Sequence, residues 1–238
     1  MNALVFLITA RVGSVRMNTG RALVVTIMST AANLLPLPGG AAVRTVALAS
    51  DGIGYKRAVA LTLLVGMAWL GIAAAIASAG FFFLELHSYG FIAALLASVA
   101  ATIALSGLRG FNNSGVIHLG ALASTQFGLA ITGGLRLYFC FQALGEVAAF
   151  DQILVLLFAP VASAFVGIAP AGLGLTELTA AGLAALVGVA PAAAFVAAAL
   201  NRITGLMVIT PIALLMNFLV NPQALWNDSH DRGTGQGK

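Results

Sequence analysis

Leu35-Pro36-Leu37-Pro38-Gly39-Gly40-Ala41-Ala42-Val43-Arg44 and Ile168-Ala169-Pro170-Ala171-Gly172-Leu173-Gly174-Leu175-Thr176-Glu177 interrupt an otherwise apolar chain. In each stretch a proline is followed two residues later by a glycine, and a charge falls six or seven residues after the proline. Proline removes a backbone donor and clashes with the preceding turn, so a helix breaks there. Paired breaks at matching positions of two halves point to a binding site inside a membrane bundle.

The surrounding composition sets the class. Hydrophobic residues make up 61% of the 238 residues and charged residues 8%, and mean hydropathy is +1.04. A soluble domain carries about 25% charged residues, so this chain reads as an all-α polytopic membrane helix bundle. The long Leu/Ala/Val/Ile/Phe runs exclude a barrel, whose strands alternate over ~10 residues. No feature suggests nucleic-acid binding, and the net charge of +4 matters less than where the cations fall. The single cysteine, Cys140, cannot form an internal disulfide and reads as a small packing residue.

Outward from the two breaks, residues 1–220 form one transmembrane domain and 221–238 a polar, disordered tail. The apolar stretch Ala3 to Ala10 is too short to span. It reads as the tail of a helix that begins earlier, or as an interfacial piece. Met1 to Ala10 carries no secretory signal. A first re-entrant pair is expected over 22–50 and a second over 153–189, the latter built from a helix from Ile153 to Pro170 and another from Gly172 to Val189. Full spans are expected at Ala58–Leu84, Phe91–Leu108, Val116–Leu144 and Pro191–Val220, with a loop from Glu146 to Asp151. Three crossings between the pairs turn one upside down relative to the other, an inverted repeat. One side then receives Arg11, Arg16, Arg21, Lys56, Arg57, Arg109 and the tail, while the other receives Glu85, Glu146 and Asp151. The positive-inside rule places the Arg-rich N-terminal region and the tail in the cytoplasm of a cell-membrane protein. Asp51, Lys56 and Arg57 read as a solvated surface turn.

Arg44, Arg136, Glu177 and Arg202 remain for the membrane interior. A charge at bilayer depth costs at least ~2.5–3.5 kcal/mol, so these residues need partners or a wet cavity. One reading is structural, with Glu177 paired to Arg202. The other is an anion site in which guanidiniums hold phosphate oxygens. There, helix restarts at Gly39, Gly40, Gly172 and Gly174 would turn backbone donors toward the anion. Ser29, Thr30 and Asn33 either line a polar path or bond between helices. No hydrolase, protease, P-loop or metal-ligand pattern accompanies them, so the chain reads as neither an enzyme nor a cofactor protein.

The two motifs, with Gly188-Val189 and Arg202 behind the second, resemble the lysylphosphatidylglycerol synthetase transmembrane family, also described as flippase-like integral membrane proteins. The likeness runs from about Arg11 to about Val220. It implies a protein that moves anionic phospholipid or lipid-linked groups between leaflets, with Arg44, Glu177 and Arg202 at the family's charged positions. Thr176 stands where the family commonly has an arginine. Larger members carry a cytoplasmic catalytic domain, which is expected to be missing here, so synthetase activity is not implied. The alternatives are a secondary transporter of a small organic anion and a non-transporting membrane subunit of a separate lipid-modifying or cell-envelope enzyme. The substrate, the coupling and the oligomeric state are left open.

Overall fold

A computed structural model describes residues 1–32, 39–111, 115–166 and 174–219. The prolines of both breaks, Asn33, Gly172 and the C-terminal tail therefore lie outside the described residues. Among those described, the chain forms ten helices and no strand: α1 (Asn2–Val12), α2 (Thr19–Ala32), α3 (Gly39–Ser50), α4 (Tyr55–Phe83), α5 (His87–Arg109), α6 (Val116–Ala143), α7 (Phe150–Leu156), α8 (Ala159–Val166), α9 (Leu175–Leu186) and α10 (Pro191–Leu219). Three of them, α4, α5 and α6, are long and apolar enough to cross a membrane. The expected fourth span is α10, helical over 29 residues.

α4 is the spine. Leu70, Gly71, Ala73, Ala74, Ala77, Ser78, Gly80 and Phe81 are buried at helical spacing, and small residues along this face let other backbones come close. A Cβ on Gly71 would sit 3.2 Å from the Ala101 backbone nitrogen of α5, and one on Gly80 would sit 2.7 Å from the Asp151 carbonyl oxygen of α7. α4 also packs against α3, α6 and α8. Its outer partner α5 turns Phe91, Ile92, Leu95 and Val99 outward, as a lipid-facing helix would.

The two ends of the spine carry separate cores. One gathers α1, α2 and α3 around the starts of α4 and α6 and the end of α5, with Phe6, Val12, Leu48, Leu61, Leu108 and Leu122 buried. The other joins the end of α6 to α7, α9 and α10 through Phe141, Leu156, Ala184 and Ala197. α1 is thus a core element, with Phe6 only 2% exposed, and not an interfacial piece.

Each core holds a helical hairpin tied at its open end. At the start of α2, Arg21 donates to Ser50 Oγ (3.2 Å) and pairs with Asp51 Oδ1 (2.8 Å) just past the end of α3. At about 1.5 Å per residue, the 14 and 12 residues of these helices give about 21 and 18 Å, less than the ~30 Å of a hydrocarbon core. In the second hairpin, Gln152 Nε2 at the start of α7 donates to the Val187 carbonyl after α9 (2.9 Å). The Ser163 and Thr176 hydroxyls join the end of α8 to the start of α9 at 2.6 Å.

Two expectations are corrected here. The helix expected from Ile153 to Pro170 begins earlier, so Asp151 lies in the first turn of α7 and not in a loop. That helix is also interrupted at Leu157–Phe158, between α7 and α8. Pro160 explains the interruption: it cannot donate to the Leu156 carbonyl, and its ring crowds that carbonyl. Phe158 bonds back to Val155 instead, and Val161 and Ala162 restart the ladder on Phe158.

Five helix ends share one stop. Ser14, Gly52, Glu85, Gly145 and Gly188 have φ of 65°, 99°, 59°, 74° and 74°. In each case the next residue's N–H returns to a carbonyl five positions back, as Val189 does to Ala184 and Leu86 to Phe81. This is the left-handed cap that satisfies orphan carbonyls, and glycine adopts it without strain. Ser14 and Glu85 adopt it at a steric cost.

Candidate functional site

Arg44 leaves α3 toward α2, where its Nε donates to the buried Ser29 hydroxyl at 3.3 Å. Ser29 in turn donates to the Thr26 carbonyl at 2.9 Å. The guanidinium is half-buried. Among the described residues its two Nη groups have no acceptor and it has no carboxylate partner. The next residue, Thr45, ties α3 to α4 by donating to Thr62 Oγ1 at 3.1 Å. Gly39 permits the close return of the chain: a Cβ there would collide with the Ala32 carbonyl at the end of α2. Gly40 is buried in the same turn.

Glu177 sits in the first turn of α9, which Gly174 opens at φ +81°. A Cβ on Gly174 would meet nothing within 4 Å, so glycine serves the backbone angle there and not a close approach. The Glu177 side chain is 6% exposed, with Oε1 3.6 Å from Arg202 Nη1. That separation is an ion pair but exceeds hydrogen-bond distance. Oε2 is buried with no hydrogen-bond partner among the described residues.

Arg136 is arranged differently. Its Nε donates to Asn201 Oδ1 on α10, and its Nη1 lies 3.4 Å from where a Cβ on Gly205 would be. The residue is exposed and lines an open groove of about 560 Å³ between α6 and α10, walled by Phe139, Cys140, Ala143, Leu200, Thr204 and Gly205. Arg136 thus lies at the protein surface, apart from the Glu177–Arg202 pair.

The candidate charges are distributed as two centres and an outlier. Glu177 and Arg202 come together; Arg44 is held by Ser29; Arg136 is held by Asn201. Among the described residues no hydrogen bond or ion pair joins Arg44 to the other three. α2 is the element between the centres, packing on α3 and also on α10. Asn201 and Arg202 are neighbours on α10, about 100° apart around the helix. One therefore faces α6 and the other α9.

The chain matches no family model, no curated protein and no solved structure. What the site does rests on its own chemistry.

Among the described residues that chemistry combines one half-buried cation without a counter-ion, one buried carboxylate with an idle oxygen, and a second cation beside it. The combination suits an anion that carries hydrogen-bond donors. Asn201 was not foreseen from the sequence, because an amide in an apolar helix gives no signal until its partner is known. Gln126 was also missed: it is 2% exposed, its Nε2 donates to the Val65 carbonyl at 3.2 Å, and its Oε1 has no partner among the described residues. Asp51, expected in a solvated turn, has a side chain only 12% exposed beside Arg21. Burial pushes its carboxyl above the usual range, and the Arg21 charge opposes that shift only in part.

Proposed function

We propose that the chain is a flippase-like membrane protein that moves anionic phospholipid or lipid-linked substrate between leaflets, as its resemblance to the lysylphosphatidylglycerol synthetase transmembrane family implies. The observation that carries this reading is Arg44, a half-buried guanidinium oriented through Nε by Ser29, with its Nη groups unoccupied among the described residues. Guanidinium does not lose its proton. At bilayer depth an uncompensated one costs several kcal/mol, a cost that a lipid phosphate would offset by bidentate bonding.

In this reading the α2–α3 and α7–α9 hairpins are re-entrant and related by an inverted repeat. The headgroup passes between them. Arg44 takes the phosphate, and Arg202 strengthens the field. Glu177 holds Arg202 when the site is empty and offers its idle oxygen to a headgroup donor when it is full. Two guanidiniums, Arg44 and Arg202, against the one carboxylate of Glu177 leave the set cationic. That balance favours anionic over zwitterionic lipid. The Arg-rich loops face the cytoplasm.

The test is transbilayer movement of headgroup-labelled phosphatidylglycerol and phosphatidylcholine in proteoliposomes. Wild type is compared with Arg44→Gln, Glu177→Gln and Arg202→Gln, each first shown to insert and fold. Faster movement of the anionic lipid, lost in Arg44→Gln, is the expected result. Movement no faster than in empty vesicles would overturn the reading. Uptake of a soluble organic anion by the same vesicles would replace it with a small-anion transporter.

A further inference from the structure

We infer that the groove between α6 and α10 is a separate docking site for a single phospholipid, with Arg136 taking the phosphodiester and Phe139, Ala143 and Leu200 taking the acyl chains. The inference does not depend on translocation; it concerns binding at the protein's outer surface.

Charge supplies the first argument. Arg136 is exposed, and among the described residues it has no carboxylate partner. Its contact is with Asn201, a neutral amide that accepts from Nε and leaves the positive charge uncancelled. A purely structural neutralisation would call for an acid at that position. The amide instead fixes the direction of the guanidinium plane and leaves the Nη edge for an acceptor, in the fork geometry that suits a phosphate.

Depth supplies the second. α6 has 28 residues, about 42 Å at 1.5 Å each, which matches a bilayer of about 40–45 Å including headgroups. Arg136 lies about 10 Å from the C-terminal end of α6. That places it just inside the hydrocarbon boundary of that leaflet, within snorkelling reach of the phosphate layer.

Shape supplies the third. The groove of about 560 Å³ falls in the range of roughly 300–1,000 Å³ typical of ligand sites. Apart from Arg136 and Thr204 its walls are apolar or glycine, and the Thr204 hydroxyl is already spent on the Asn201 carbonyl at 3.0 Å. A cation at one edge of an apolar trough is the complement of a headgroup phosphate on acyl chains. Gly205 keeps the trough open beside the Arg136 guanidinium.

The experiment is native mass spectrometry of the full chain, delipidated in mild detergent and titrated with dioleoyl-phosphatidylglycerol. Dioleoylglycerol, which has chains but no phosphate, and glycerol phosphate, which has phosphate but no chains, serve as the comparison ligands. Wild type is expected to retain one phosphatidylglycerol about tenfold more tightly than either Arg136→Gln or Gly205→Leu. The first variant removes the charge and the second fills the trough with the charge kept. Gly66→Ala on α4, whose added Cβ would meet only Phe165 Cζ at 3.9 Å, is expected to bind as wild type. Equal retention by wild type and both variants would overturn the inference. So would retention of dioleoylglycerol as tight as that of the phospholipid, while glycerol phosphate binding as tightly would reassign the groove to a free phosphate.

Discussion

Removing the Glu177 carboxylate should cost more stability than removing the whole Glu177–Arg202 pair. The two side chains are 6% and 22% exposed, and the charges are 3.6 Å apart. At an effective dielectric of about 20, unit charges at that distance attract by about 4–5 kcal/mol. The desolvation of both ions opposes this, so the net worth of the pair is small. Glu177→Ala keeps the Arg202 desolvation and loses the attraction, for an expected loss of about 3 kcal/mol. The second oxygen, Oε2, is buried without a donor among the described residues, so deleting it relieves a penalty of about 1–3 kcal/mol. That relief places the single-variant loss at the lower end of the 3–5 kcal/mol measured for broken buried pairs. Replacing both residues, as Glu177→Ala with Arg202→Met, removes the charges together and should fall within about 1 kcal/mol of wild type. The assay is reversible unfolding in mixed micelles, read by helicity, for wild type, both singles and the double. A coupling energy of about 2 kcal/mol or more is expected. Single and double variants equally destabilised, or a neutral Glu177→Ala, would show that the pair is solvated and that the buried-charge reasoning is wrong.

Three further outcomes follow from the fold. Burial holds the Asp51 carboxyl above its ordinary value of 3.8, with Arg21 pulling the other way, so its contribution to stability is full below that value and is lost as pH rises through the higher folded one; Asp51→Asn should remove this part of the slope between wild-type unfolding curves at pH 4 and pH 7. Gly80→Leu should cost about 2–3 kcal/mol because its Cβ would press on the α7 backbone, whereas Gly66→Ala, whose Cβ would meet only Phe165 Cζ at 3.9 Å, should lie within about 0.5 kcal/mol of wild type; thermal unfolding of the two variants separates close packing from general helix preference. Glu85→Gly should gain about 0.5–1 kcal/mol because glycine relieves the left-handed strain at φ 59°, and a loss on the same scan would mean that the Glu85 side chain matters more than its backbone.

Much of the fold was legible because apolar runs of spanning length admit few alternatives in a bilayer. The boundaries of α3, α4, α5 and α6 follow from where charge and glycine punctuate those runs, and Gly52, Gly145 and Gly188 mark three of the left-handed stops. Pro160 was as visible as Pro170, yet its effect was not, because a proline near a helix start is tolerated and one inside a helix is not. Which case applies depends on the packing of α7 against α4. Ser14 and Glu85 carry no glycine signal, since only their capping bonds select the left-handed angle.

The charges divide along the same line. Composition alone requires that Arg44, Arg136, Glu177 and Arg202 find partners or water, because an isolated charge cannot be left in hydrocarbon. It does not say which partner each takes. Glu177 and Arg202 lie 25 residues apart in sequence and meet because α9 folds back on α10. Arg136 was equally eligible for that carboxylate, but the rotation of α6 turns it to Asn201 and to the outside. Asp51 looked like part of a surface turn, yet closure of the α2–α3 hairpin buries it against Arg21. Helix length and membrane class are sums over neighbouring residues and survive any arrangement of the helices. Partner choice depends on the rotation and register of helices far apart in the chain, which are set when their small-residue faces pack.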